Sequence, residues 1–178
     1  MIPEDVANIK QQETLYREYI DNHRQNVKKA WAIMKSNTEC MDLITKYLNT
    51  SVEAAVDLID SMIDAHDMSK YQDLEFDAYR KNYYPVTPEE KEENLAAYEA
   101  AWKHHYTNNL HHWDWWYETG KMDEMKIPYV VEMICDWEAM GYKFGNTSLQ
   151  WYEENRDKIH LGDLQRIFAE TLMHIMYR

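Results

Sequence analysis

The stretch "LYREYIDNHRQNVKKAWAIM", residues 15–34, repeats large side chains at steps of three or four residues. That spacing places them on one face of a helix, and it predicts a long first helix from about Pro3 or Glu4 to Met34. The residues that share this face are Tyr16, Ile20, His23, Val27, Trp31 and Met34. A histidine is therefore expected among the side chains that form the core.

The composition favours helices in the rest of the chain as well. Its 178 residues include four Gly and four Pro but 11 Met, 7 Trp and 14 Tyr. Few turn-forming residues and many large side chains favour a few long helices over many short strands. The length fits one domain with a sizeable core. We therefore predict an all-α, single-domain helical bundle over residues 1–178, with a core at about 15–145 and C-terminal helices at 147–177 packing on it.

Apolar periodicity and capping signals predict about seven or eight helices in total. The clearest start is in "YPVTPEE", where Thr87 has the N-cap position and Pro88 the first helical position. A long helix is expected from this point. The helices after the first are predicted at about 38–48, 51–66, 70–80, 88–112, 128–141, 147–158 and 163–177.

The charge and the cysteine content limit the class of partner. The formal net charge of -13 disfavours broad nucleic-acid binding, but it leaves a small phosphorylated substrate open. Cys40 and Cys135 are too few for a disulfide framework, which fits a reducing compartment. With no signal region and no run of about 20 apolar residues, we expect a cytoplasmic protein without a membrane partner. A homo-oligomer is compatible with this sequence.

Four predicted helices direct metal-binding residue types toward the core. These residues are His23, His66 with Asp67, His105 with His112, and Asp136. Buried ionisable groups are costly unless they are paired or bind a metal, so a shared divalent ion is the predicted partner. Imidazole and carboxylate suit Mn, Fe, Co, Ni, Zn or Mg. The pair His104 and His111, each one residue earlier in the sequence, is the alternative to His105 and His112. The helix face that carries His105 and His112 has the larger apolar residues.

The order of these residues, H…HD…D, resembles that of the HD-domain metallohydrolases, which are all-helical enzymes. "HDMSK" looks like the HDxxK form of that superfamily, and the resemblance runs from about His23 to Gly145. The chain is also similar to the DUF5662 proteins of bacteria and phages. The segments that carry this second resemblance are "HDMSKYQDLEF", "HHYTNNLHHW" and "VVEMICDWEAM".

The resemblance implies a bundle of the HD-domain type and specific roles for these residues. His23, His66, Asp67 and Asp136 are then ligands of one metal, and His105 with His112, or His104 with His111, would bind a second. Asp67 would orient or deprotonate a metal-activated water, and Lys70 would stabilise charge on a phosphoryl group. The acidic residue that single-metal nucleotidases carry after the doublet would be Asp73 or Glu75. The implied function is hydrolysis of a nucleotide or another small phosphorylated compound.

Two other functions stay open at this point. Some proteins of the HD fold hold two irons and oxidise their substrate with O₂, and the extra histidines permit that chemistry. A non-enzymatic acidic helical binding module is the other alternative, with a structural or vestigial metal site. Considered one at a time, His23 would be an ordinary core histidine and Lys70 a solvated lysine. Glu132 would be either a partner of a metal ligand or a polar residue beside the site.

Overall fold

The computed structural model describes residues 3–178, with side chains from Val6 onward. This part of the chain forms ten α-helices and three short 3₁₀ turns, with no strand, which confirms the all-α prediction. The predicted count of seven or eight helices was too low. The helices are α1 Pro3–Ser36, α2 Thr38–Leu48, α3 Val52–Ala65, α4 Asp73–Tyr83, α5 Pro88–Glu93, α6 Leu95–Asn108, α7 Trp113–Glu118, α8 Ile127–Phe144, α9 Ser148–Asn155 and α10 Asp163–Met176.

One extra helix arises because the segment predicted as a single helix at 88–112 forms two helices, and the other, α7, arises in the aromatic residues after that segment. The predicted segment begins as expected, because the Thr87 hydroxyl accepts a hydrogen bond from the Glu90 N–H at 3.3 Å. Asn94 then ends α5, and its side chain donates to the Ala78 carbonyl of α4 at 2.7 Å. The next helix, α6, ends at Asn108, and the aromatic residues after it form the separate helix α7. A tertiary hydrogen bond thus interrupts a sequence with helical periodicity.

The chain divides into two compact units, each built from two segments. The first unit comprises the residues up to His23 together with Asp67–Asn109. The second comprises Arg24–His66 and Leu110–Arg178. The first helix therefore contributes its N-terminal part to the first unit and its C-terminal part to the second. The prediction of a single domain stays a prediction.

The first unit has a small core rich in tyrosine, in which α4 packs against α6. Its buried side chains are Tyr16, Ile20, Ala78, Tyr79 and Ala101. Partly buried aromatic rings surround them, so much of the apolar area of this unit is aromatic.

The second unit has a larger core centred on α8. Because α3, α9 and α10 all pack against it, α8 is buried on most of its circumference. Val130, Val131, Ile134 and Cys135 are fully buried. A polar side chain on this helix therefore needs a partner inside the protein.

Among the described residues, none of the helices has both the length and the apolar character needed to cross a membrane.

Candidate metal centre

The His66-Asp67 doublet lies at the end of α3, where the backbone changes direction. His66 is the C-cap of α3, and its N–H donates to the Ile63 carbonyl at 3.3 Å. Asp67 follows in the left-handed region with φ 57°, which Asp tolerates better than most residues, and it starts the 3₁₀ turn Met68–Tyr71. Both side chains are 1% exposed. Arg24 holds this bend, because it donates to the His66 carbonyl at 2.8 Å.

In the first unit, Asp67 is the centre of a buried cluster of predicted site residues. The Nζ atom of Lys70 lies 2.6 Å from Oδ2 of Asp67. The Nε2 atom of His23 lies 3.6 Å from the same oxygen, and Nε2 of His105 lies 3.3 Å from Oδ1. His23 and His105 are 5% and 1% exposed. We call these four residues, with Glu75 behind His105, the first-unit cluster.

Glu75 fixes the orientation of His105 from the opposite side of the ring. One oxygen of Glu75 lies 2.8 Å from Nδ1 of His105, and the other lies 2.6 Å from Nδ1 of His104. Burial acts to raise the pKa of the Glu75 carboxyl, but the contacts with His105 and His104 outweigh it and lower that pKa. An ionised carboxylate can only accept hydrogen bonds, so Nδ1 of His105 carries a hydrogen. In the neutral imidazole, Nε2 then presents its lone pair toward Asp67.

In the second unit, His66, His111 and Asp136 form another group. Their ligand-type atoms all lie within 4.8 Å of one another. The two rings are 4.5 Å apart between centroids, and Nε2 of each lies 3.9 Å from an oxygen of Asp136. We call these residues, with Glu132, the second-unit cluster.

Glu132 is the acidic partner of both histidines in this cluster. Its Oε1 atom lies 2.9 Å from Nδ1 of His66 and 3.2 Å from Nδ1 of His111. Burial acts to raise the pKa of the Glu132 carboxyl, but the His111 and His66 rings outweigh that effect and lower the pKa to about 2. Glu132 and Asp136 are one helical turn apart, so α8 presents both carboxylates on the same face.

The segment between α6 and α7 decides which histidines are buried. Because α6 ends at Asn108, the helical phase that linked His105 to His112 is lost before residue 111. The structure buries His105 from one predicted pair and His111 from the other, each 1% exposed. His112 is the N-cap of α7, with its ring centroid 4.3 Å from that of His111. The prediction that His105 and His112 lie on one face of the same helix was therefore wrong. The role of His112 as a metal ligand stays a prediction.

The two acidic residues predicted after the doublet, Asp73 and Glu75, differ in burial. Glu75 is fully buried in the first-unit cluster, whereas Asp73 is exposed at the start of α4. Of these two acidic residues only Glu75 therefore belongs to the first-unit cluster, and a catalytic role for either of them stays a prediction. The prediction that His23, His66, Asp67 and Asp136 bind one ion stays a prediction.

Both clusters have the composition and nearly the spacing of a divalent metal site. Ligand atoms about 2.0–2.2 Å from one ion, at angles near those of octahedral or tetrahedral coordination, lie about 2.8–3.6 Å apart. The His105–Asp67 distance of 3.3 Å falls in this range. The distances of 3.9 Å to Asp136 exceed it by a few tenths of an ångström. The second-unit group of His66, His111 and Asp136 can hold a metal ion.

The sequence model described as "Family of unknown function (DUF5662)" matches residues 12–177. The chain belongs to this family. The match includes every residue of both clusters. No curated protein and no solved structure matches the chain. The name of the DUF5662 family states no activity, so the function must be inferred from the chemistry of the two clusters.

Proposed function

We propose that this DUF5662 protein is a metal-dependent phosphohydrolase of the HD type that acts on a nucleotide or another small phosphorylated compound. The observation that supports it best is common to both clusters. In each, two imidazole rings direct Nε2 toward one aspartate, and a buried glutamate contacts Nδ1 of at least one ring. Carboxylate–histidine–metal arrangements are typical of metalloenzymes. The order His23, His66-Asp67, Asp136 supports the HD assignment.

The donor set fits a borderline divalent ion. Two histidines and one carboxylate, as in His66, His111 and Asp136, suit Mn, Fe, Co, Ni or Zn better than Mg or Ca. One ion for each cluster would give two per chain, and a single ion is the alternative. A bound cation would also give this acidic protein a place for an anionic substrate.

The residues of the chain then have separate roles in hydrolysis. A bound divalent ion supplies a water of lowered pKa and a binding position for phosphate oxygens. Asp67 would orient that water and would accept its proton on attack at phosphorus, and the leaving oxygen would depart with the electron pair of its broken P–O bond. Lys70, with its side chain 17% exposed, neutralises Asp67 and donates to a phosphoryl oxygen. Glu75 keeps Nε2 of His105 directed at Asp67.

Metal content is the first test of this proposal. We expect protein purified without added metal to contain one or two equivalents of a transition metal by elemental analysis. Asp67→Asn is preferable to Asp67→Ala, because Asn tolerates the left-handed backbone at this position. Asp67→Asn and Asp136→Asn should each lose metal, and full retention by both variants would contradict the proposed centre.

Adjacent histidines supply matched controls. His105→Ala should lower metal affinity by more than about 100-fold, whereas His104→Ala, which removes the other histidine bound to Glu75, should lower it by less than about 10-fold. In the second unit, His111→Ala should lose metal, and His112→Ala tests the remaining predicted ligand. Equal effects of His104→Ala and His105→Ala would contradict the assignment of His105.

A substrate screen then tests the reaction. Metal-loaded protein is incubated with a panel of nucleotides and sugar phosphates, and phosphate release is measured. We expect release that requires metal and is lost in Asp67→Asn. Metal binding without phosphate release from any compound would contradict the phosphohydrolase proposal.

A di-iron oxygenase is the second candidate. The observation that favours iron is the combination of two histidines and one carboxylate in the second-unit cluster, which is the ligand set of mononuclear non-haem Fe(II) oxygenases. A second iron would need further ligands beyond these three residues. Bound iron together with substrate-dependent O₂ consumption would favour this candidate. Absence of stoichiometric metal would instead favour the non-enzymatic binding module.

A further inference from the structure

Glu132 lies on α8 one turn before Asp136, and it is 6% exposed. A single oxygen of Glu132 contacts Nδ1 of two histidines from different parts of the second unit, His66 after α3 and His111 before α7. A carboxylate shared in this way sets the separation of the rings as well as the orientation of each. No ordinary requirement of helix packing calls for an acid at this buried position.

We propose that Glu132 is the positioning residue of the second-unit metal centre. This inference rests on the proposed function, and it adds a role for a residue that is not itself a ligand. A neutral imidazole has one N–H and one lone pair, and an ionised carboxylate can only accept. Both Nδ1 atoms therefore donate to Glu132, and the Nε2 atoms of His66 and His111 present their lone pairs toward Asp136.

The geometry gives Glu132 control of two ligands at once. Each Nε2 atom lies 3.9 Å from a different oxygen of Asp136, and the ring planes are 33° apart. Without the shared acceptor, each ring can rotate or place its hydrogen on Nε2, where the lone pair is needed. Outer partners of metal-bound histidines typically affect metal affinity by about 10–100-fold. Because Glu132 contacts two rings, we expect an effect in the upper part of that range.

Co²⁺ is a suitable probe, because its visible absorption reports the ligands around it. The full-length protein is treated with chelator and titrated with Co²⁺ as wild type, Glu132→Ala and Glu132→Gln. We expect Glu132→Ala to weaken Co²⁺ binding by about 10–100-fold and to change the absorption spectrum. Glu132→Gln keeps an oxygen acceptor of similar size and loses the charge, so its affinity should lie between those of wild type and Glu132→Ala.

Glu138 provides the matched control on the same helix. It is 7% exposed, and its carboxylate accepts hydrogen bonds from the Ser148 N–H at 3.0 Å and from the Tyr177 hydroxyl. Glu138→Ala and Glu138→Gln should destabilise the fold and leave Co²⁺ affinity unchanged. Circular dichroism at the titration temperature confirms that each variant is folded.

The outcomes separate this inference from the proposed function. If wild type binds Co²⁺ and both Glu132 variants bind it equally well, the positioning role is wrong and the metal centre stands. If wild type binds no Co²⁺, the metal centre is wrong, and the role of Glu132 with it. If the Glu138 variants lose affinity as much as the Glu132 variants, loss of stability explains the result and the positioning role is overturned.

Discussion

The two clusters combine the same groups but hold their aspartates differently. In the first-unit cluster, Asp67 forms an ion pair with Lys70 at 2.6 Å, and its backbone lies in the left-handed region. In the second-unit cluster, Asp136 lies on a regular helix, 3.9 Å from the Nε2 atoms of His66 and His111. The first aspartate is thus held by its local backbone and a nearby cation. The second lies on a regular helix, and Glu132, one turn away on that helix, contacts the two histidines that face it.

This difference indicates how each cluster can be disturbed separately. Protonation of Glu132 removes the negative charge of the shared acceptor in the second unit. Loss of Lys70 removes the cation that balances Asp67 in the first. Since the two changes affect different carboxylates, their effects on stability and on metal content should be separable.

Acid should produce the largest effect, through Glu132. Its pKa is lowered from 4.5 to about 2 in the folded protein, so it binds its proton less readily there than in the unfolded chain. Its contribution to stability, on the order of 3 kcal/mol, is therefore complete above about pH 4.5 and is lost as the pH falls toward about 2. Urea unfolding of metal-free protein across this range measures the loss.

The comparison with Glu132→Gln isolates this carboxylate. The variant should be less stable than wild type at neutral pH, and its stability should depend less steeply on pH. The remaining slope is expected to include Glu75, whose pKa is also lowered. An unchanged slope in Glu132→Gln would show that the histidine contacts of Glu132 contribute little to stability.

Removing the cation of the first-unit cluster should have the next largest effect. Lys70→Met removes the cation that lies 2.6 Å from Asp67, whose side chain is 1% exposed. Breaking a buried ion pair typically costs 3–5 kcal/mol, and the partial exposure of Lys70 reduces our expectation to about 2 kcal/mol in metal-free protein. A bound divalent ion would replace the missing charge, so the loss should shrink when unfolding is repeated with metal.

Lys81→Met is the control for this variant. Lys81 forms an ion pair with Asp77 at 2.6 Å, but both side chains are substantially exposed. Its removal should cost less than about 1 kcal/mol, with or without metal. If Lys70→Met lost the same stability in both conditions, Asp67 would not be part of a metal site.

The sequence predicts which residues share a face within a helix better than it predicts the segments that join helices. All six residues assigned to the inner face of α1 are buried, from Tyr16 and His23 to Met34. Periodicity within one continuous helix is a local property, so the sequence is sufficient to predict it. The capping residues Thr87 and Pro88 were also placed correctly at the start of α5.

The pairing of histidines could not be predicted, because it depends on where α6 ends. The side chain of Asn109 donates to the His105 carbonyl and to the Ser69 hydroxyl, each at 2.7–2.8 Å, just after α6 ends. The hydrogen bond to Ser69 involves a residue from a distant part of the chain. The sequence also could not distinguish Glu75 from Asp73, because the position of Glu75 depends on contacts with His104 and His105, which lie in another helix, α6.

The smallest predicted effect compares buried tyrosines in the two units. The Tyr79 hydroxyl of the first unit is buried and has no hydrogen-bond partner within the described residues. In the second unit, Tyr152 donates to Glu170 at 2.7 Å and accepts from Arg166 at 2.8 Å. An unpaired buried hydroxyl costs free energy that a phenyl ring does not, so Tyr79→Phe should raise the free energy of unfolding by about 1 kcal/mol. Tyr152→Phe should lower it by about 1 kcal/mol, because two hydrogen bonds are lost. Urea unfolding of both variants measures the difference. A loss of stability in Tyr79→Phe would show that the Tyr79 hydroxyl has a partner in solution, such as a bound water near Glu75 and His105.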